Sequence, residues 1–141
     1  MINNFIASFF GKFLIKREAL IKAWFEYFSF KPAKIYWLVT AIINLLLWLL
    51  AFLIKRGLNQ DLAILHYNIT FGIDYLAPRS QVYFLPLIAL LLFFINAGLS
   101  FIFLKKDKFI FSLLLISALA LNALVGLGLY SIYLVNFVKI F

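Results

Sequence analysis

Three uncharged apolar segments constrain this chain more than any other feature. They run Ile35–Ile54, Val82–Leu104 and Phe109–Val138. A helix rises 1.5 Å per residue, so about 20 apolar residues suffice to cross the hydrocarbon core of a bilayer. A chain of 141 residues is too short to bury three such helices inside a soluble core. The sequence therefore predicts an all-α membrane protein with three transmembrane helices.

The basic residues predict how these helices are threaded. Nine of the 13 lysines and arginines fall before the first segment or between the second and third. Because cytoplasmic loops carry the excess of Lys and Arg, the N-terminus is expected in the cytoplasm and the C-terminus outside. Topology thus explains the net charge of +8, and a nucleic-acid partner is not expected. The lack of cysteine and the small size favour a bacterial inner (plasma) membrane.

The scarcity of reactive side chains bears on function. There are one histidine, five acidic residues and no cysteine, so most catalytic and metal-binding arrangements cannot be assembled. We expect neither enzymatic activity nor a cofactor or structural metal.

Residues 1–33 form a separate region with interleaved aromatic and charged residues. On a helix, Phe9, Phe13, Trp24 and Phe28 share one face, which is typical of an amphipathic helix lying at the cytoplasmic surface of the bilayer. Such a helix serves as a membrane anchor or docks a partner membrane protein. Residues 34–141 then form the three-helix domain.

Each span carries polar side chains that need partners. Counted from the expected cytoplasmic ends, Asn44, Asn96 and Ser117 share one level, and Asn122 lies deeper. An amide in hydrocarbon without a hydrogen bond costs several kcal/mol, so we expect these groups to meet between helices. A substrate path through the helices is the alternative, although no ionisable residue lies mid-membrane.

Small residues line one face of the third segment. Ala118, Asn122 and Gly126 are four apart, which lets another helix approach closely. That helix belongs either to the same chain or to a second copy.

The outer loop, residues 57–80, holds most of the polar chemistry that is not lysine. A positive φ at Gly72 would place His66 and Asp74 on one compact turn. A His–Asp hydrogen bond is one interpretation. A metal site is the other, with Asp61 as a third ligand.

The loop and the next helix also carry an ordered motif of a His-x-Asn pair, a Gly-x-Asp pair and a helix-opening Leu-Pro: His66, Asn68, Gly72, Asp74 and Pro86. It resembles a bacterial membrane domain of unknown function found in SdpI-type immunity and signalling proteins. The resemblance covers residues 35–104. It implies a multi-pass membrane protein with an immunity or signalling role.

Two functional hypotheses follow. The first is a small non-enzymatic subunit that binds the lipid bilayer and other membrane proteins, or forms a homo-oligomer. The alternative is an immunity protein or envelope-signal sensor that uses the outer loop around His66 and Asp74.

Overall fold

The computed structural model describes residues 18, 21–22, 24–68 and 70–138. Within these residues the chain is mostly helical and contains a β-hairpin. The elements are α1 (Lys31–Gly57), β1 (Leu62–Asn68), β2 (Gly72–Pro78), the 3-10 helix η1 (Arg79–Tyr83), α2 (Phe84–Phe103) and α3 (Lys108–Phe137). Three helical stretches, of 27, 25 and 30 residues, are long and apolar enough to span a membrane, which confirms the three apolar helices predicted above.

The chain divides into two compact units, Met1–Ile35 and Tyr36–Phe141. In the described part of the first unit, residues 24–29 are helical, and the ring of Trp24 stacks on that of Phe28 at 5.3 Å. Phe25 is 75% exposed. The amphipathic helix predicted over residues 1–33 lies largely outside the described residues.

Side-chain contacts in the second unit give the directions of the helices. Trp37 near the start of α1 packs edge-on against Phe93 of α2, with ring centroids 4.6 Å apart. Trp48, further along α1, stacks on Tyr83, the residue of η1 just before α2, so α1 and α2 are antiparallel. Leu47 of α1 lies beside Gly126 of α3, and Gly57 beside Phe137. Helices α1 and α3 therefore run in the same direction.

The turn between α2 and α3 is short because Asp107 caps α3. Its carboxylate accepts hydrogen bonds from the backbone N–H groups of Phe109 at 2.8 Å and Ile110 at 3.1 Å. A carboxylate at this position pairs N–H groups that have no partner within the helix. The chain thus reverses direction within the basic run Lys105–Lys108, because only a few residues separate the two helices.

The buried core lies at the hairpin end of the bundle. It joins Leu47, Ala51 and Ile54 of α1 to Ala89 of α2 and Leu129 of α3. It also includes Leu58, Ile132, Ala63 of β1 and Val82 of η1, and Leu65 packs against it from the hairpin. The hairpin is therefore part of the folded bundle.

The hairpin corrects the prediction of an all-α chain, because the loop predicted at residues 57–80 contains two paired strands. The strands pair antiparallel, from Leu62 opposite Pro78 to Asn68 opposite Gly72. β1 carries Ile64, Tyr67 and two leucines, apolar side chains that suit a half-buried strand, beside the polar residues His66 and Asn68. Gly72 has φ +79° and closes the turn, as predicted. Glycine adopts this left-handed backbone conformation without the steric cost that a side chain brings.

Two irregularities interrupt the strand pairing. Ile64 lies opposite Leu76 but His66 lies opposite Tyr75, so Leu65 is an extra residue in β1. Tyr67 lies opposite Ile73, so Asp74 is an extra residue in β2. The second bulge restores the register that the first one shifts, and both lie beside His66. Bulges redirect side chains, and this pair lets the carboxylate of Asp74 reach the imidazole.

The close approach of α1 to α3 generates a prediction at Gly126. A Cβ atom there would lie 3.3 Å from Leu47 Cδ2, whereas a Cβ at Gly98 of α2 would meet nothing within 4 Å. We expect Gly126→Val to lower the free energy of unfolding by about 1–3 kcal/mol, because added methyl groups overpack the contact. Gly98→Val is the matched control, since it makes the same change in helix propensity without the clash. Reversible unfolding in mixed micelles measures both, and equal losses in the two variants would contradict the packing argument.

Candidate functional site: the hairpin and its amide anchor

The hairpin is fastened to the end of α3 by the side chain of Asn136. Its Oδ1 accepts a hydrogen bond from the backbone N–H of Ile64 at 3.0 Å, and its Nδ2 donates to the carbonyl of Ile64 at 2.7 Å. The same Nδ2 donates to the carbonyl of Ile132 at 2.8 Å. One amide therefore pairs both backbone polar groups of a strand residue, as a neighbouring strand would. This fixes β1 against the last turns of α3.

Arg79, directly after β2, ties the open end of the hairpin to the segment that follows α1. Its backbone N–H donates to the carbonyl of Asp61 at 2.9 Å, and its guanidinium donates to the carbonyl of Leu58 at 3.2 Å. The guanidinium also lies 3.7 Å from the carboxylate of Asp61. In η1, Gln81 accepts a hydrogen bond from the hydroxyl of Tyr75. The hairpin is thus held at three places.

His66 and Asp74 form a close pair on the hairpin. His66 Nδ1 lies 2.6 Å from Asp74 Oδ1, and the two side chains are 64% and 42% exposed. The structure thus brings together the two residues that the sequence analysis placed on one turn. Asp61 lies beside Arg79 instead of joining them. Within the described part of the chain, no group of three His, Cys, Asp or Glu residues assembles.

The remaining residues of the predicted motif have separate places. Asn68 closes the hairpin, because its Oδ1 accepts from the backbone N–H of Thr70 at 2.8 Å and of Phe71 at 3.4 Å. Gly72 supplies the left-handed conformation that follows. Pro86 is buried in the first turn of α2, where a missing N–H costs no intrahelical bond, and belongs to the bundle.

Inside the bundle, the structure pairs Asn44 with Asn122. Asn44 Nδ2 donates to Asn122 Oδ1 at 3.0 Å, and both side chains are buried. Asn122 Nδ2 donates in turn to the carbonyl of Ala118 at 2.9 Å. This interhelical bond sets the rotation and the axial position of α1 relative to α3.

Asn96 pairs with Ser117, which corrects the shared level expected for Asn44 and Asn96. The hydroxyl of Ser117 donates to Asn96 Oδ1 at 3.2 Å, and Asn96 Nδ2 donates to the carbonyl of Leu92. The error came from the start of the first helix. Because α1 begins at Lys31 and not at Ile35, every residue in it lies about 6 Å further along than expected. That shift puts Asn44 level with Asn122.

The small-residue face of α3 packs against α1 of the same chain at Gly126. The side chain of Leu47 fills the space that a larger residue at position 126 would need. Ala118, two turns earlier, is buried and supplies the carbonyl that Asn122 bonds.

Two clefts flank the contact between β1 and α3. One, of about 370 Å³, lies between residues 64–67 of β1 and the α3 residues Gly128, Ser131, Ile132 and Val135. The other, of about 270 Å³, is lined by residues 57–60, Leu62, Ile64, Leu76, Asn136 and Phe137.

Sequence patterns single out neither Asn136 nor Arg79, although both hold the hairpin in place. A signal for Asn136 was present. It is a second asparagine in the segment Phe109–Val138, two residues from the end, where an amide can still meet a neighbouring chain segment. Its partner could not be predicted, because the amide bonds the backbone of Ile64, and β1 was not predicted as a strand.

Comparisons with protein-family models, curated proteins and solved structures find no match to this chain. The resemblance of residues 35–104 to the SdpI-type domain stays a prediction.

The anchoring amide generates a second prediction. Asn136→Leu removes two hydrogen bonds to Ile64, each worth about 0.5–1.5 kcal/mol. We expect amide hydrogen exchange of β1 to accelerate about tenfold, since about 1.4 kcal/mol corresponds to a factor of ten. Ser131→Ala is the control, because its hydroxyl donates only within its own helix, to the carbonyl of Leu127. Unchanged exchange in β1 of Asn136→Leu would show that the amide does not anchor the hairpin.

Proposed function

We propose that this chain is a multi-pass protein of a bacterial inner membrane, with its N-terminus in the cytoplasm and its C-terminus outside. The charge distribution supports this orientation. Lys105, Lys106 and Lys108 lie at the turn between α2 and α3, which would face the cytoplasm. The hairpin lies at the opposite end of the bundle and would face the outside. There Lys55 lies over the ring of Tyr83 at 5.0 Å, an arrangement suited to the boundary between lipid and water.

Within that membrane the chain acts as a non-enzymatic interaction subunit of a larger assembly. One observation carries this proposal: the anchored hairpin exposes large apolar side chains. Phe71 at the tip is 83% exposed, and Ile73, Tyr75 and Leu76 of β2 are each about half exposed. Large apolar groups held outward on a fixed scaffold are typical of surfaces that bind other proteins. A two-stranded hairpin is marginal alone, so its three attachments serve to present this surface.

The first unit supports a second attachment to the membrane. Ile21, Trp24, Phe25 and Phe28 line an open apolar cleft, and Lys22 and Glu26 are exposed in the same segment. Aromatic and charged residues in this mixture suit a helix that lies in the headgroup region.

The interaction proposal is tested by purifying a tagged protein in mild detergent from the cells that produce it. We expect a partner protein, or a second copy of this chain, in fixed stoichiometry by mass spectrometry. Phe71→Ser should reduce its recovery at least about tenfold, because an exposed aromatic anchor carries much of the energy of such an interface. Phe109→Ser is the matched control, since Phe109 is 75% exposed at the opposite end of the bundle. A monomer without any partner, or equal recovery from all three proteins, would contradict the proposal.

A second function, as an immunity protein or envelope-signal sensor, is favoured by the pairing of His66 with Asp74. Both side chains are exposed beyond the bundle, and two bulges position them. Either side chain can release the other and form a hydrogen bond with a ligand instead.

The sensor proposal predicts that His66→Ala and Asp74→Ala abolish protection or signalling without lowering the amount of protein in the membrane. Thr70→Ala is the control, because it alters the hairpin tip and leaves the pair intact. The assay compares survival and reporter output under envelope stress, with membrane abundance measured in parallel. A wild-type response from both variants would remove this function.

A further inference from the structure

We propose that the 370 Å³ cleft between β1 and α3 binds an acyl chain of one outer-leaflet phospholipid. The inference depends on the membrane placement proposed above but not on the interaction role. The volume lies within the range of small-molecule pockets, about 300–1,000 Å³, and admits part of a lipid. The cleft is lined on one side by Ile64 and Leu65 and on the other by Ile132 and Val135.

A glycine leaves this cleft open. A Cβ atom at Gly128 would meet nothing within 4 Å, although the strand β1 lies across this part of α3. Glycine inside a helix costs about 1 kcal/mol relative to alanine. At Gly126, on the same helix, the neighbouring Leu47 takes up the space. At Gly128 the chain supplies no filling group, and an apolar ligand would supply one.

The position of the cleft along α3 matches the boundary of the bilayer. Helix α3 has 30 residues, whereas about 20 cross the hydrocarbon core, so its last turns extend into the headgroup region. Tyr130 and Tyr133 stack on each other in these turns, and tyrosines concentrate at this boundary. The ester groups of a phospholipid, and the first carbons of its acyl chains, occupy that boundary.

The polar side chains of the cleft suit the headgroup of a phospholipid. His66 and Tyr67 lie along its hairpin side and Ser131 along its helix side. Nδ1 of His66 bonds Asp74, which leaves Nε2 for a headgroup oxygen or hydroxyl. Apolar walls beside a few polar groups are what an amphiphile requires.

The test uses the full chain, stripped of lipid in dodecyl maltoside and titrated with palmitoyl-oleoyl phosphatidylethanolamine. Native mass spectrometry counts the bound lipids. We expect one retained lipid per wild-type chain and at least a tenfold loss in Gly128→Leu, whose side chain fills the cleft. Gly98→Leu is the matched control and should bind as the wild type does, because Gly98 also has open space above it but lies on α2.

A second measurement detects lipid in the cleft directly and does not depend on how Gly128→Leu affects the hairpin. Tyr67→Trp, made with Trp24, Trp37 and Trp48 replaced by Phe, places a fluorophore on the cleft. We expect its fluorescence to be quenched by a stoichiometric amount of phosphatidylethanolamine brominated on an acyl chain, in detergent without other lipid. Wild-type retention of lipid by Gly128→Leu, or no quenching in Tyr67→Trp, would overturn the proposal. Neither result depends on whether a partner protein copurifies.

Discussion

Polar groups buried in an apolar bundle must find partners within the protein, and this requirement determines how the elements of the chain fit together. Within the described residues, every buried side-chain nitrogen or oxygen has a hydrogen-bond partner. Side chains of three residues form the hydrogen bonds that join the helices to one another and to the hairpin: Asn122 to α1, Ser117 to α2 and Asn136 to Ile64 of the hairpin. All three residues belong to α3. Helix α3 is therefore the reference against which the other elements are aligned.

The sequence predicts the helical part of this fold well because hydrocarbon-spanning segments need no context to be recognised. It also identifies Asn44, Asn96, Ser117 and Asn122 as bonding groups, since an amide among leucines has few alternatives. The level of Asn44 was wrong, because it depended on where α1 begins, and residues 31–34, with two lysines and a proline, were not counted as helical. Asn96 and Ser117, expected at one level, do form a hydrogen bond. An error of one helical turn in where a helix begins changes which side chains are predicted to meet. The same error does not change the prediction that the helix spans the membrane.

The hairpin could not be predicted in the same way. Its strand pattern is broken by the bulges at Leu65 and Asp74, so a simple alternation of apolar and polar residues is absent. Its stability depends on Asn136, more than 70 positions further along the chain. The pairing of His66 with Asp74 was accessible from the sequence, because both flank a glycine turn. The two bulges that redirect these side chains toward each other could not be predicted from the sequence.

The two bulges have a consequence for how this hairpin tolerates changes of length. Each strand holds one extra residue, and the two extras cancel, so Asn68 still lies opposite Gly72. Deleting Leu65 or Asp74 alone would slide the strands by one position and turn every side chain beyond the deletion to the other face. Deleting both would restore a regular ladder with the same tip. In related proteins with the same hairpin, loss of the extra residue from one strand should therefore be accompanied by its loss from the other.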